Sequence, residues 1–186
     1  FSTGTKIISN VVSGAEDAAI YVGDSPRANT KIINNNTHDS SSGILVRNAL
    51  HGRITTNKAH NNCVGILFIA DAPGPAGEFD VNGNKVHDNT SACPATVETP
   101  ALSGVGIGLL GANDVEIHGN HILGNVPSDP EAVVLAAAQL DPPDLAGDRL
   151  GQLGELDAAH PLERRQVLAA VPEDLGRGRL ARFPTR

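Results

Sequence analysis

The chain has 186 residues and a formal net charge of −7, and 40% of its residues are hydrophobic while 3% are aromatic. This length predicts one domain, and the hydrophobic fraction is sufficient for a core of aliphatic side chains. The acidic balance and the lack of a lysine and arginine cluster before residue 160 argue against nucleic-acid binding, and the sequence has no run of 18 apolar residues that would predict a transmembrane helix.

A short pattern recurs five times: an apolar residue, an asparagine three residues later, and a small or apolar residue two residues after that. Two copies are "ITTNKA" at 54–59 and "VNGNKV" at 81–86, and the others begin at Ile7, Ile32 and Ile117. Repeats of this length are typical of solenoid proteins. We call the asparagines of this pattern the first-ladder asparagines: Asn10, Asn35, Asn57, Asn84 and Asn120.

A second apolar segment follows each copy of the pattern. The segments are "AAIYV" at 18–22, "GILV" at 43–46, "GILFI" at 65–69, "GVGIGLL" at 104–110 and a weaker "AVVL" at 132–135. Isoleucine and valine dominate them, with glycine, asparagine and aspartate between them, which favours strands and turns. Helix-forming runs are missing before residue 129, which argues against a leucine-rich repeat. The sequence therefore predicts an all-β fold, a parallel β-helix of about five coils over residues 1–137.

The alternation of side chains predicts which residues of a coil point inward. In the third copy Ile54, Asn57 and Ala59 point inward, whereas Lys58 and His60 point to solvent. The alternation breaks between Ile54 and Asn57, which predicts a bend next to the asparagine. An asparagine at one inward corner of every coil predicts a ladder, in which each amide binds the next amide and the backbone of the turn.

The pattern "I-x-x-N-x-(V/A/I)" followed by "G-I-(L/G)" resembles the right-handed parallel β-helix repeat proteins, particularly the secreted actinobacterial type. The resemblance covers about residues 5–137. It implies a right-handed solenoid from a fold class that includes polysaccharide lyases, pectin hydrolases, uronate epimerases and non-catalytic surface proteins. We therefore expect a secreted protein that binds or processes a polysaccharide, including one with uronate units. The alternative is a non-catalytic structural or surface-interaction protein, since the fold alone does not define the function.

The two cysteines lie in corresponding parts of neighbouring coils. Cys63 begins the second strand of the third coil, and Cys93 lies in the equivalent region of the fourth coil. Neighbouring coils stack about 4.8 Å apart, which is within reach of a disulfide. We predict that the two are joined, which implies an oxidising, extracellular compartment, although a pair of buried thiols is the alternative. A signal peptide is not present in this sequence.

Three histidines occupy the same position of successive repeats, three residues after the ladder asparagine, and alternation places them on the outside. Lysine or asparagine precedes each of them by two residues, and aspartate or asparagine follows each directly. We call this outward surface the histidine strip: His38, His60 and His87, with Asn36, Lys58 and Lys85, and with Asp39, Asn61 and Asp88. By position, His118 and His121 of the fifth coil are expected to lie off the strip.

The strip has two functional interpretations besides that of an ordinary solvated sheet face. In the first it binds a carbohydrate polymer, with Lys58 and Lys85 contacting carboxylates and the histidines and aspartates binding hydroxyls. Asn36 and Asn61 are further candidates for contacts with the polymer. In the second it is catalytic, and the candidate acids and bases of a lyase, epimerase or glycoside hydrolase are His38, His60, His87, Asp39 and Asp88. Parallel outward histidines do not converge on a cation, so we predict no metal site and no cofactor. The sequence does not define the oligomeric state.

Two segments depart from the repeat. An insertion loop at 90–104, "TSACPATVETPALSG", projects from the fourth coil. Residues 138–186 lack asparagine and lysine and are rich in alanine, leucine, proline and arginine. We predict an irregular tail with short helices or disorder. The abrupt change of composition also fits a frameshifted reading of a GC-rich gene.

Overall fold

The computed structural model describes residues 2–71, 74–95 and 101–128, and these residues form β-strands, turns and loops. The predicted all-β fold is confirmed. No helix among them has the length and apolarity that crossing a membrane requires. The strands are β1 (Lys6–Ile8), β2 (Val11–Ser13), β3 (Ala18–Ser25), β4 (Thr30–Ile33), β5 (Asn36–His38), β6 (Ser42–Thr55), β7 (Lys58–His60), β8 (Val64–Ile69), β9 (Gly77–Asn82), β10 (Lys85–His87), β11 (Ala92–Cys93), β12 (Leu102–Ser103), β13 (Val105–Leu110), β14 (Asn113–His118) and β15 (His121–Leu123).

Three parallel sheets form the walls of the solenoid. Sheet A contains β1, β4, the C-terminal part of β6, β9 and β14. Sheet B contains β2, β5, β7, β10 and β15. Sheet C contains β3, the N-terminal part of β6, β8 and β13. Strand β6 passes from sheet C into sheet A, and the chain visits the sheets in the order A, B, C in each of the first four repeats.

The solenoid completes about three turns, and the predicted count of about five coils is wrong. Sheets A and B contain one strand from each of the five repeats, but sheet C contains four strands, so three full turns separate β3 from β13. The fifth repeat ends with β15 on sheet B. The segment 132–135, predicted as a further strand, and the tail at 138–186 lie outside the described residues.

Aliphatic side chains in register fill the interior. Ile32, Ile54 and Val81 follow one another along sheet A, and each is 0% exposed. The rings of Phe68 and Phe79 meet edge to face, with their centroids 5.3 Å apart. A narrow coil filled by isoleucine and valine explains why the chain needs so few aromatic residues.

The first-ladder asparagines bind one another along the solenoid axis. The Nδ2 of Asn35 donates to Oδ1 of Asn57 at 2.9 Å, and that of Asn57 donates to Oδ1 of Asn84 at 3.0 Å. The backbone N–H of each donor residue also donates to the same oxygen. Asn10 donates to Asn35 at one end, and Asn120 accepts from Asn84 at the other. Each inner amide therefore supplies hydrogen-bond partners to the backbone and to the neighbouring amide at a buried corner of the coil.

The bend that precedes each of these asparagines has a left-handed backbone. The φ angles are 58° at Ser9, 56° at Asn34, 55° at Thr56, 62° at Gly83 and 62° at Gly119. Glycine and asparagine tolerate this conformation, whereas a β-branched residue is strained in it. The same bend accounts for the break in alternation between Ile54 and Asn57.

A second asparagine ladder lies at the corner between sheets B and C. The Nδ2 of Asn62 donates to Oδ1 of Asn89 at 2.9 Å, and Asn89 donates to Asn125 at 2.8 Å. In the second repeat Ser40 takes the place of the asparagine, and its N–H donates to Asn62 at 3.0 Å. This ladder was not predicted, although an asparagine follows the first-ladder asparagine by five residues in each of the last three repeats.

A charged cluster closes the corner between sheets C and A. The guanidinium of Arg47 binds the carboxylate of Asp71 at 2.6 Å, and the amide of Asn48 binds the same carboxylate at 2.6 Å. The hydrogen bond from Arg47 holds the pKa of Asp71 below its ordinary value of 3.8. Because this pKa is lowered in the folded state, the resulting stabilisation is present above pH 3.8 and is lost as the pH falls through the lowered pKa.

The described residues of the insertion, 90–95 and 101–104, pack on the outer side of sheet C. Predicted as a loop, the insertion contains the antiparallel strands β11 and β12. Cys93 of β11 is disulfide-bonded to Cys63, with their Cα atoms 5.9 Å apart. Leu102 of β12 joins Leu67 and Ile69 in a cluster on the face of sheet C opposite the main core. The disulfide and this cluster attach the insertion to the solenoid.

Replacing one ladder residue tests the contribution of the first ladder to stability. Asn57→Ala removes the acceptor for Asn35 and the donor to Asn84, and these groups stay buried. We expect the free energy of unfolding to fall by about 1–3 kcal/mol. The control is Lys58→Ala at the exposed neighbouring position, with an expected change within about 0.5 kcal/mol. Equal denaturation midpoints for the two variants would contradict the role of the ladder.

Relieving the strained bend should stabilise the fold. Thr56 is β-branched at a φ of 55°, where the preceding repeat has Asn34. Thr56→Asn should raise the free energy of unfolding by about 1 kcal/mol, since a left-handed conformation costs an ordinary residue about 1–2 kcal/mol. Urea denaturation measures the change. A variant less stable than the wild type would show that the hydrogen bond from the Thr56 hydroxyl to the Thr55 carbonyl outweighs the strain.

Candidate functional site

Sheet B places the histidine strip on the outside of the solenoid. Its strands are three residues long and lie between the two ladders, so the middle residue points inward and the two flanking residues point outward. Thr37, Ala59 and Val86 are the middle residues of β5, β7 and β10, and each is 0% exposed. Each coil therefore presents two outward side chains on this sheet, and a third at the corner that follows.

The three histidine rings stack in register. The centroids of His38 and His60 are 5.2 Å apart, with 18° between their planes. The centroids of His60 and His87 are also 5.2 Å apart, with 4° between the planes. The register of β5, β7 and β10 produces this arrangement, since the three residues are direct partners in the sheet. The result is a continuous column of imidazoles across three coils.

The two outer histidines differ from the middle one in their partners. Nδ1 of His38 lies 2.7 Å from a carboxylate oxygen of Asp39, and Nδ1 of His87 lies 2.8 Å from one of Asp88. His60 is followed by the neutral Asn61, and its Nε2 lies 3.1 Å from the amide oxygen of Asn36. Each outer ring thus lies next to a carboxylate, whereas the middle ring lies next to neutral amides.

The second outward column contains the positive charges of the strip. Asn36, Lys58 and Lys85 are partners in register, and both lysines are exposed. His121 is the register partner of Lys85, so it continues this column, and the expectation that it lies off the strip is wrong. His118 lies on sheet A, as expected, with its Nε2 3.1 Å from a carboxylate oxygen of Asp80.

The environment of the stack disfavours the charged form of His60. Burial lowers the pKa of this ring below its ordinary value of 6.5, and the charges of Lys58, His87 and His38 lower it further. The hydrogen bond with Asn61 partly opposes these effects. His60 therefore stays neutral under conditions in which an isolated histidine begins to take up a proton.

Backbone conformation explains the third column of the strip. Asp39, Asn61 and Asp88 have φ angles of 51°, 56° and 54°, and each precedes a residue of the second ladder. Asparagine and aspartate are the non-glycine residues that best tolerate this region. Gly124 occupies the same position in the last repeat, at 63°. The residue types of this column thus satisfy a requirement of the corner, independently of any chemistry.

The geometry permits binding more readily than catalysis. Asp39 and Asp88 are separated by the coil of Asn61, which places them about 10 Å apart at the backbone. To reach the roughly 6.5–9.5 Å between the carboxylates of inverting glycosidases, the two side chains would have to lean towards each other, whereas each is hydrogen-bonded to the preceding histidine. Among the residues that the structure describes, no group of three or more histidine, cysteine, aspartate or glutamate side chains is arranged to hold a metal ion.

Comparison with known proteins identifies the fold. The family model described as "Right handed beta helix region" matches residues 1–129, which is more than half of the chain. No curated protein and no solved structure matches the chain. The family match agrees with the three parallel sheets and assigns no role to the residues of the strip.

Titration of the middle ring tests the electrostatics of the stack. We expect His60 to titrate below pH 6.5 in an NMR experiment, and Lys58→Gln to raise its pKa by removing a neighbouring positive charge. The matched control is Lys31→Gln, because Lys31 is an exposed lysine of sheet A. A pKa of His60 at or above 6.5 in the wild type, or an equal shift in the two variants, would contradict this account.

Proposed function

The chain belongs to the right-handed β-helix family, and we propose that it binds an acidic carbohydrate polymer along the histidine strip. The observation that carries the proposal is the in-register column of three imidazoles beside two exposed lysines. Uronate units match this surface, because each unit combines hydroxyl groups with a carboxylate. The polymer would lie across the coils, along the solenoid axis.

The strip offers atoms of the right kind to such a ligand. Because Nδ1 of His38 and of His87 faces an aspartate, the Nε2 of each ring is left to meet a ligand hydroxyl, and no described residue binds it. Lys58 and Lys85 are register partners on adjacent coils, whose backbones lie about 4.8 Å apart. Carboxylates of the polymer would contact their ammonium groups, and the outer rings would bind hydroxyls.

The lysine column favours an acidic ligand over a neutral one. Lys58 and Lys85 lie on one side of the histidine column, and Asp39 and Asp88 lie at the corner on its other side, so the lysine side is locally positive. Exposed charges are screened by salt, so the affinity should fall as the ionic strength rises.

Extracellular location forms part of the proposal. The disulfide between Cys63 and Cys93 supports it, since disulfides persist mainly in oxidising compartments. An extracellular protein with a polar solenoid face would meet polysaccharides of cell surfaces or of the surroundings.

Processing of the polymer is the second candidate function. The pairs His38–Asp39 and His87–Asp88 favour it, because a carboxylate that orients an imidazole is a common arrangement for a general base. A lyase or an epimerase would use such a base to remove the proton next to a uronate carboxylate. Without convergent acid and base groups around one bond, binding is the better supported of the two.

The decisive experiment removes the two charges of the strip. We expect Lys58→Gln with Lys85→Gln to weaken the binding of oligogalacturonate at least about tenfold, which corresponds to about 1.4 kcal/mol. Isothermal titration calorimetry at two salt concentrations measures the effect. The fold should be retained, because both side chains are exposed.

The matched control removes two exposed lysines from another face, in Lys6→Gln with Lys31→Gln. It has the same net charge as the strip variant, so equal losses of affinity would contradict a specific role of the strip. Wild-type protein incubated with the same polymer is assayed for unsaturated products and new reducing ends. If products form, and His38→Ala or His87→Ala abolishes their formation, then the strip processes the polymer and does not only bind it.

A further inference from the structure

The outward face of sheet A has opposite charges at its two ends. One column runs along the register of β1, β4, β6, β9 and β14. Its members are basic in the first three repeats and acidic in the last two: Lys6, Lys31, Arg53, Asp80 and Glu116. Glu78 and Asp114, on the last two strands, add to the acidic end. No described residue of the first three strands of the face is acidic.

The ion pair between Arg53 and Asp80 neutralises charge in the middle of this face, whereas the ends of the face stay charged. Arg53 lies 3.1 Å from Asp80, and His51 lies 2.7 Å from Glu78. Within the described ranges, Lys6, Lys31 and Glu116 form no ion pair and are exposed. The face therefore has unpaired positive charge at one end and unpaired negative charge at the other.

We propose that this face of sheet A is the interface of a two-fold symmetric dimer with a second copy of the chain. In such a dimer the twofold axis runs parallel to the strands and passes close to Arg53. Each copy then presents its basic end to the acidic end of its partner. Lys6 of one copy approaches Glu116 of the other, Lys31 approaches the acidic strand of Asp80, and symmetry forms each contact twice.

Charge complementarity is the argument for a second copy over other ligands. A linear polyanion along the solenoid axis would be attracted by three strands and repelled by the next two. A copy in the opposite orientation instead meets an opposite charge at both ends. The charged side chains of this column point away from the core, and two outward sheet faces can pack against each other as in other pairs of packed sheets. The proposed contacts join exposed charges, so the dimer should be sensitive to salt.

Exchange of charges at the two ends tests the dimer. Lys6→Glu and Glu116→Lys each place like charges opposite each other, so each should raise the dimer dissociation constant at least about tenfold in sedimentation equilibrium. The double variant, Lys6→Glu with Glu116→Lys, should regain the wild-type constant. An equimolar mixture of the two single variants should form a heterodimer, because every contact again joins opposite charges. Circular dichroism verifies that each variant is folded.

Three results would overturn the proposal. The first is a wild-type chain that stays monomeric at low salt and high concentration. The second is a set of single variants that dimerise like the wild type. The third is the formation of assemblies larger than a dimer that Lys31→Glu does not weaken. Such assemblies would indicate an end-to-end stack, which also brings Glu116 to Lys6 but leaves Lys31 in the middle of its own face. The histidine strip lies on sheet B, so none of these results bears on polymer binding.

Discussion

The hydrogen bonds at the corners of each coil are the interaction on which the rest of the structure depends. A coil must turn sharply before and after sheet B, and each turn buries backbone N–H groups that would cost about 1–3 kcal/mol if they stayed unpaired. An asparagine amide supplies both a donor and an acceptor, so one side chain binds its own turn and the next coil. No buried side-chain nitrogen or oxygen of the described residues lacks a partner. The two ladders thus satisfy the corners and hold successive coils in register.

That register creates the candidate site. Because the ladders fix each coil at the same angle to its neighbour, equivalent residues of successive repeats lie directly above one another. A histidine repeated at one outward position must therefore become a stack, and a lysine two residues earlier must become a column of charge. The corner also constrains the site, since the left-handed residue before the second ladder selects aspartate or asparagine at Asp39, Asn61 and Asp88. The same backbone requirement places two carboxylates beside the outer rings.

The sequence predicts the features that follow from strict periodicity. The positions of Ile54, Asn57, Lys58 and His60 relative to the core follow from alternation and from one bend, and the parallel solenoid follows from the repeat. Some contacts between coils also follow from equivalent positions, such as the first ladder and the disulfide between Cys63 and Cys93. Others were not predicted. The second ladder has an asparagine in three repeats and Ser40 in the second repeat, so its pattern is weaker in the sequence. The number of turns depends on whether each repeat contributes to all three sheets. The partners of the histidine rings depend on rotamers, which the repeat does not determine.

The geometry of a solenoid bears on the kind of function that such a site can support. A catalytic centre needs different groups that converge on one bond, which requires loops or a concave surface. Stacked coils instead repeat the same group by translation along an axis. The strip follows this rule, since its rings are nearly parallel and its charged groups lie in straight columns. A ligand complementary to such a surface also repeats along its length, and it gains affinity from several weak contacts made together. A charged polymer has this property, and a small molecule does not.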